Sequence, residues 1–248
     1  CGFKLVIYQL DGRQFVINYT GKPIQPNTIM KISNETLSLL KNYAGINTNI
    51  LFRQGNVIGT VSPGKNIFSR ATVTETFPRE IAVYDLNSLL ALLTLMEDQD
   101  VDFGENSIKV SKDGSKFEYF YSDPGTVTAA PDKNLEIEPV WSFDLSSDEI
   151  SMILRAASIT SAPIISIVSD GAQVQLKVGD PTNSSANSYT KTISTDAAPV
   201  FDCRVKTENL KVLSDNYTVT LGKKRAMEFK SKGRELVYYI AMDPASSI

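Results

Sequence analysis

The chain has 248 residues, 42% of them apolar, which is enough to fill one large domain or two of ordinary size. Its formal charge of -3 excludes a surface that is basic all round, though not a local cationic patch. It contains no histidine, which removes the commonest general base, the Ser-His and Cys-His nucleophile pairs and the usual zinc ligand together.

Cys1 and Cys203 are too few for a disulfide framework, so a reducing compartment is expected, with the cytoplasm as default. There is no run of eighteen apolar residues, no G-x-x-x-x-G-K-[ST] loop and no G-x-G-x-x-G after a strand. The expectation is a protein with no catalytic residues, no metal and no cofactor.

In chain order, residues 1–29 come first, with apolar runs on both sides of Asp11-Gly12 that predict a hairpin. Ser33 or Asn34 caps a helix through about Ala44, with Leu37, Leu40, Tyr43 and Ala44 on its apolar side and Asn34, Ser38, Lys41 and Asn42 opposite. A second helix runs from Leu86 to Met96 behind Asp85. The acidic run from Glu97 to Asn106 has the alternate aspartates of a calcium loop, but its glycine comes one place late and Lys109 stands where a bidentate Glu is needed, so it reads as a solvated connection. Prolines and small residues from Pro124 to Pro139 mark a connector. A third helix starts near Ser146 or Ser147, with Ile150, Ile153 and Ala157 facing inward and Ser147, Ser151 and Arg155 outward. A short fourth helix is expected around Thr207 to Leu213. Strands separated by turn signals at Gly55-Asn56, Asp113-Gly114, Asp170-Gly171 and Lys232-Gly233 fill the rest, giving an α+β chain.

The chain repeats itself. A shift of 120 lays Ser111 to Pro124 on Ser231 to Pro244 without a gap, and a shift of 113 lays Ile32 to Ile46 on Leu145 to Ile159. Two copies are expected, residues 30–123 and 141–248, joined by a connector at 124–140 and preceded by the segment 1–29.

MKISNETLSLLKNYAGINTNI from Met30, AVYDLNSLL from Ala82, the ILR of Ile153 to Arg155 and ENLKVL from Glu208 resemble the sliding clamps of T-even-type tailed phages. The closing VYYIAMDP, Val237 to Pro244, is similar to the last strand of proliferating cell nuclear antigen. The resemblance implies the DNA-clamp fold: strand-rich outer sheets, inner helices and a ring of three subunits with twelve helices lining the hole. It also implies a processivity factor that encircles duplex DNA without reading sequence, tethers the replicative DNA polymerase, is opened by a clamp loader and works in the host cytoplasm. The resemblance begins at Met30. Residues 1–29 are therefore either an accessory hairpin or sequence read through from an upstream frame.

By the same resemblance Lys41, Arg155, Lys211, Lys206 and, more weakly, Lys31 face DNA. On the residues alone they read as cations on solvated helix faces. Ile240, Ala241, Met242 and Pro244, with Leu135 and Ile137 of the connector, would wall a pocket for partner peptides, against ordinary packing at the end of a sheet. Trp141 is expected to pack within its domain, and the cations of LGKKRAM, Leu221 to Met227, to sit on a solvated hairpin tip. The alternative is a non-enzymatic phage structural or scaffold protein with duplicated β-rich domains.

Overall fold

The computed structural model describes residues 6–10, 13–17, 28–95, 100–112, 114–183 and 185–248, the first two stretches by backbone only. There Val6–Leu10 (β1) pairs antiparallel with Arg13–Ile17 (β2), as a hairpin requires. The Asp11-Gly12 turn lies outside the described residues.

From residue 28 the same order of elements runs twice. The first copy is Thr28–Met30 (β3), Asn34–Ile46 (α1), Ile50–Phe52 (β4), Gly55–Val61 (β5), Ile67–Phe77 (β6), Ile81–Val83 (β7), Leu86–Leu95 (α2), Val101–Phe103 (β8), Ser107–Lys112 (β9) and Ser115–Phe120 (β10). The second is Pro139–Leu145 (β11), Ser147–Thr160 (α3), Ile164–Ser169 (β12), Val174–Gly179 (β13), Tyr189–Ser194 (β14), Phe201–Lys206 (β15), a 3-10 turn at Thr207–Asn209, Tyr217–Gly222 (β16), Ala226–Ser231 (β17) and Leu236–Ala241 (β18).

The sheets repeat as well. The order β10-β9-β8-β3 recurs as β18-β17-β16-β11, and β15-β12-β13-β14 matches the pairs β7-β4 and β6-β5. One seam joins the copies: β18 pairs antiparallel with β6, fusing two half-sheets into the six-stranded order β11-β16-β17-β18-β6-β5. Under it, Tyr43, Tyr217 and Tyr238 are fully buried; the Tyr43 and Ser69 hydroxyls lie 3.0 Å apart, and Ser69 donates to the Val237 carbonyl. Burial pushes the Tyr43 and Tyr238 phenols up, so they stay neutral donors.

The two first helices begin by different means. α3 carries a capping box, Ser146 with Glu149. α1 has Ser33 at its N-cap, and the remaining acceptors come from Glu75 of β6: Ser33 N–H donates to it at 2.5 Å and the Thr36 hydroxyl at 2.6 Å. Burial alone would raise the Glu75 pKa, yet these hydrogen bonds outweigh it and hold the carboxyl below its ordinary range.

Two expectations are corrected. The fourth helix is only the 3-10 turn, because Lys206 at its cap offers no side-chain acceptor and the Lys211 carbonyl is taken by Asn42 Nδ2 at 3.0 Å. Among the described residues the chain therefore has three α-helices where four were expected. The acidic run is not wholly a solvated connection either: Val101–Phe103 is strand β8, with Val101 and Phe103 in the core. Glu97, Asp98 and Gln99 lie outside the described residues, and no metal-holding group of carboxylates occurs among the described ones. No helix there is long and apolar enough to cross a membrane.

Candidate nucleic-acid and partner interfaces

The helices and the connector lie on opposite faces of the sheets. In β18, Leu236, Tyr238 and Ile240 point with Met242 into the main core beneath the helices, whereas Val237 and Tyr239 point outward and pack with Val61, Phe68, Ala130 and Ile137. This alternation fixes which candidate residues reach solvent.

On the helical face, Lys41 is exposed on α1 beside Asn34 and Ser38. Arg155 is exposed on α3, in a row with Asp148, Met152 and Ile159; Ile159 is 83% exposed. Lys211 is exposed too, but its Nζ donates to the Gly45 carbonyl at 2.7 Å, where it complements the C-terminal end of the α1 dipole. Asn42 bridges to the same turn, accepting from the Tyr238 hydroxyl and donating to the Lys211 carbonyl. Lys211, from the second copy, is thus tied to the C-terminal half of the helix that carries Lys41, while Arg155 stands on the other copy's helix. Lys206 lies 3.8 Å from Glu208, which tempers its charge, and Lys31 is exposed before α1. The exposed face of α2, with Asn87, Ser88, Ala91, Thr94 and Leu95, carries no cation.

On the opposite face the connector is strapped across the six-stranded sheet. Both Arg53 terminal nitrogens donate to the Ala130 carbonyl at 3.0 Å, and Arg53 Nε pairs with Asp132 at 2.9 Å. At the far end Lys223 pairs with Glu138. Two glycines sit directly under the strap: a Cβ on Gly59 would come within 3.1 Å of the Ala130 Cβ, and one on Gly222 within 2.9 Å of Ile137.

The six partner-pocket candidates separate. Ile240 and Met242 are core residues that face the helices, so of the C-terminal four only Ala241 and Pro244 present surface. Leu135 is 43% exposed on the strap, and Ile137, also on the strap, is half-buried against the sheet. The tip at Lys223 to Arg225 is exposed, as expected, and is also tethered: Lys223 pairs with Glu138 and Arg225 donates to the Pro244 carbonyl at 2.8 Å. Trp141 stacks on Phe143 and packs at a tilt against Phe201 inside its own domain. The one described cysteine, Cys203, is buried, and its thiol is pushed up to about 12 by that burial, so it is no nucleophile.

Sequence reasoning missed the open edges. The β14 edge borders a cavity of about 590 Å³ between α3 and β11, lined by Met152, Leu176, Tyr189 and Ile193 and flanked by Asp144 and Asp148. The β10 edge carries Phe117, 40% exposed although it shares a face with buried Val110, and Phe120, 67% exposed. An aromatic on the core face of an edge strand was the available signal.

Residues 33–123 match the family model described as DNA polymerase processivity factor. The sliding clamp of Vibrio phage KVP40 is 27% identical over 86% of this chain and 99% of its own, and that of Escherichia phage RB69 is 28% identical over 88% and 99%. Among solved structures, A. fulgidus proliferating cell nuclear antigen bound to the C-terminal region of FEN-1 shares the fold at a TM-score of 0.66 and 14% identity, covering 89% of this chain and 99% of that one. The DNA polymerase III beta-subunit clamp of Bartonella birtlesii matches at 0.64 and 14%, over 97% and 73%. With a duplicated clamp fold, a match of residues 33–123 to the DNA polymerase processivity factor family and relatives aligned along most of its length, the chain is similar from end to end of that alignment to the sliding clamps of tailed phages.

Proposed function

We propose that three copies of this chain close head to tail into a ring that encircles duplex DNA in the host cytoplasm, is loaded by a clamp loader and tethers the replicative polymerase. One observation carries the reading: the seam inside the chain has a duplicate that is left open. β18 pairs with β6, and by order in the two copies the counterparts of these strands are β10 and β14, both at sheet edges with the outer side unpaired among the described residues. Antiparallel addition of one subunit's β10 to the next subunit's β14 would repeat the internal seam, and a heterologous contact of this kind closes a ring when its rotation divides the circle. Phe117, on the core face of β10, would then enter the cavity beside α3, as Tyr238 lies against α1. Lys112 and Lys116 would approach Asp144 and Asp148.

Lys41, Arg155 and Lys211, with Lys206 and Lys31 at the margins, supply the few cations of the helical face. This sparse field suits a ring that holds DNA by enclosure and attracts phosphate without reading bases. Ala241, Pro244 and Leu135 offer the surface for partner peptides, with Ile240, Met242 and Ile137 as its buried support. Sedimentation and retention on DNA test the reading: a trimer held on closed circles and lost from linear ends is expected, whereas a monomer or an open-ended polymer at micromolar concentration overturns it.

A further inference from the structure

The outer face of the six-stranded sheet has a second row of side chains beside the strap; its inner members Val237 and Gly59 lie against the strap, and its cations Arg70 and Lys230 reach past it. Strand register aligns Lys230, Val237, Arg70 and Gly59 across β17, β18, β6 and β5. The neighbouring row, Glu228, Tyr239, Phe68 and Val61, includes the apolar residues against which the strap packs. Lys230, Val237 and Arg70 of this row line a groove of about 480 Å³ walled by Val57, Asn134 and Glu235. It continues past Val57 and Arg70 into a smaller hollow of about 230 Å³ against Pro131 and Asp132 of the strap. Among the described residues, Arg53 and Arg234 are committed to Asp132 and Asp215, but Arg70 and Lys230 take part in no ion pair. Glu235 is the one carboxylate lining the larger groove.

We propose that this groove is a docking site for an acidic peptide segment of a partner protein, distinct from the surface at Ala241 and Pro244 and independent of ring closure. Arg70 and Lys230 stand two strands apart, about 10 Å, with apolar Val237 between them. A polyproline II segment presents residues i and i+3 on one side at a separation of about 9 Å, so carboxylates at those positions meet both cations. The sheet offers a face here and no free edge, so recognition works through side chains and not through added strand pairing.

The test is fluorescence anisotropy of the full-length protein with a labelled Pro-Glu-Pro-Val-Glu-Pro peptide, its Gln-for-Glu counterpart, and a peptide with the glutamates two apart. Saturable binding of the first is expected, at least tenfold weaker for each of the other two and for R70Q or K230Q, and weakened by added salt. Both side chains lie on the surface of the sheet, so circular dichroism and DNA retention of the two variants should match the parent; a loss of retention in the parent itself would strike the ring reading and leave this one standing. Absence of saturable binding up to about 1 mM peptide, equal binding of the Gln peptide, or unchanged binding to R70Q and K230Q overturns the proposal. Displacement by short duplex DNA that depends on Arg70 and Lys230 overturns it as well, by marking the row as a phosphate surface.

Discussion

The seam between β6 and β18 and the open edges of β14 and β10 are built from duplicated elements, yet one pair is closed within the chain and the other is left exposed. At the closed seam Tyr238 is fully buried, with its hydroxyl donating to Asn42 at 2.8 Å, and Ser69 ties the two strands together. At the open edge Phe117 is 40% exposed and Tyr189 and Ile193 are only partly covered. The difference teaches that the same duplicated strands carry different side chains where they are paired within the chain and where they lie at an open edge. A seam within the chain can use a phenol and a buried polar pair, while the open edge of β10 carries solvated charges around its exposed aromatics Phe117 and Phe120.

The contrast is broken most forcefully at the closed seam. Tyr238→Ala removes a buried ring and its hydrogen bonds, and urea denaturation should show a loss of about 3–5 kcal/mol. At the open edge the same kind of truncation should leave the subunit intact. Phe117→Ala is expected to change subunit stability by less than about 0.5 kcal/mol but to weaken each ring contact by about 2 kcal/mol, read as a roughly 30-fold shift in the concentration at which the assembly dissociates in sedimentation.

The helix caps sharpen the contrast further. Glu75→Gln should cost about 1–2 kcal/mol at neutral pH, because α1 borrows its cap from β6 whereas α3 carries its own. The Glu75 carboxyl is depressed in the folded state. Its contribution is therefore complete above its ordinary value of 4.5 and disappears as pH falls through the lower folded value, so the variant's stability should fall less steeply in that acidic window. The smallest effect is expected on the helical face: Arg155→Ala should leave thermal stability unchanged and lower the slope of log affinity against log salt by about 0.9 on duplex DNA.

Much of this architecture was legible because amphipathic period and turn chemistry are local. Leu37, Leu40 and Tyr43 are buried as their spacing implies, and Gly114 and Gly171 adopt positive φ at turns that the sequence marks. The repeat was legible in outline but not in register. Sliding by 120 lays Tyr119 on Tyr239, yet Tyr119 shares the core face with Ile108 while Tyr239 points outward against Phe68. An offset of one residue exchanges the faces of a strand, and letter similarity does not detect it. For the same reason Ile240 and Met242 looked like pocket wall and proved to be core. The cationic row of Arg70 and Lys230 was illegible because its members come from strands 160 positions apart, brought together only by the pairing of β6 with β18.

Gly59 and Gly222 act as two notches that receive the strap at Ala130 and Ile137. Because both notches are seated, the chain between them has a fixed span with no freedom to creep lengthwise. Residues inserted there would bow away from the sheet as a loop and leave the strap's ends where they are, so lengthening the chain at this point would reshape the outer face while the fold beneath kept its register.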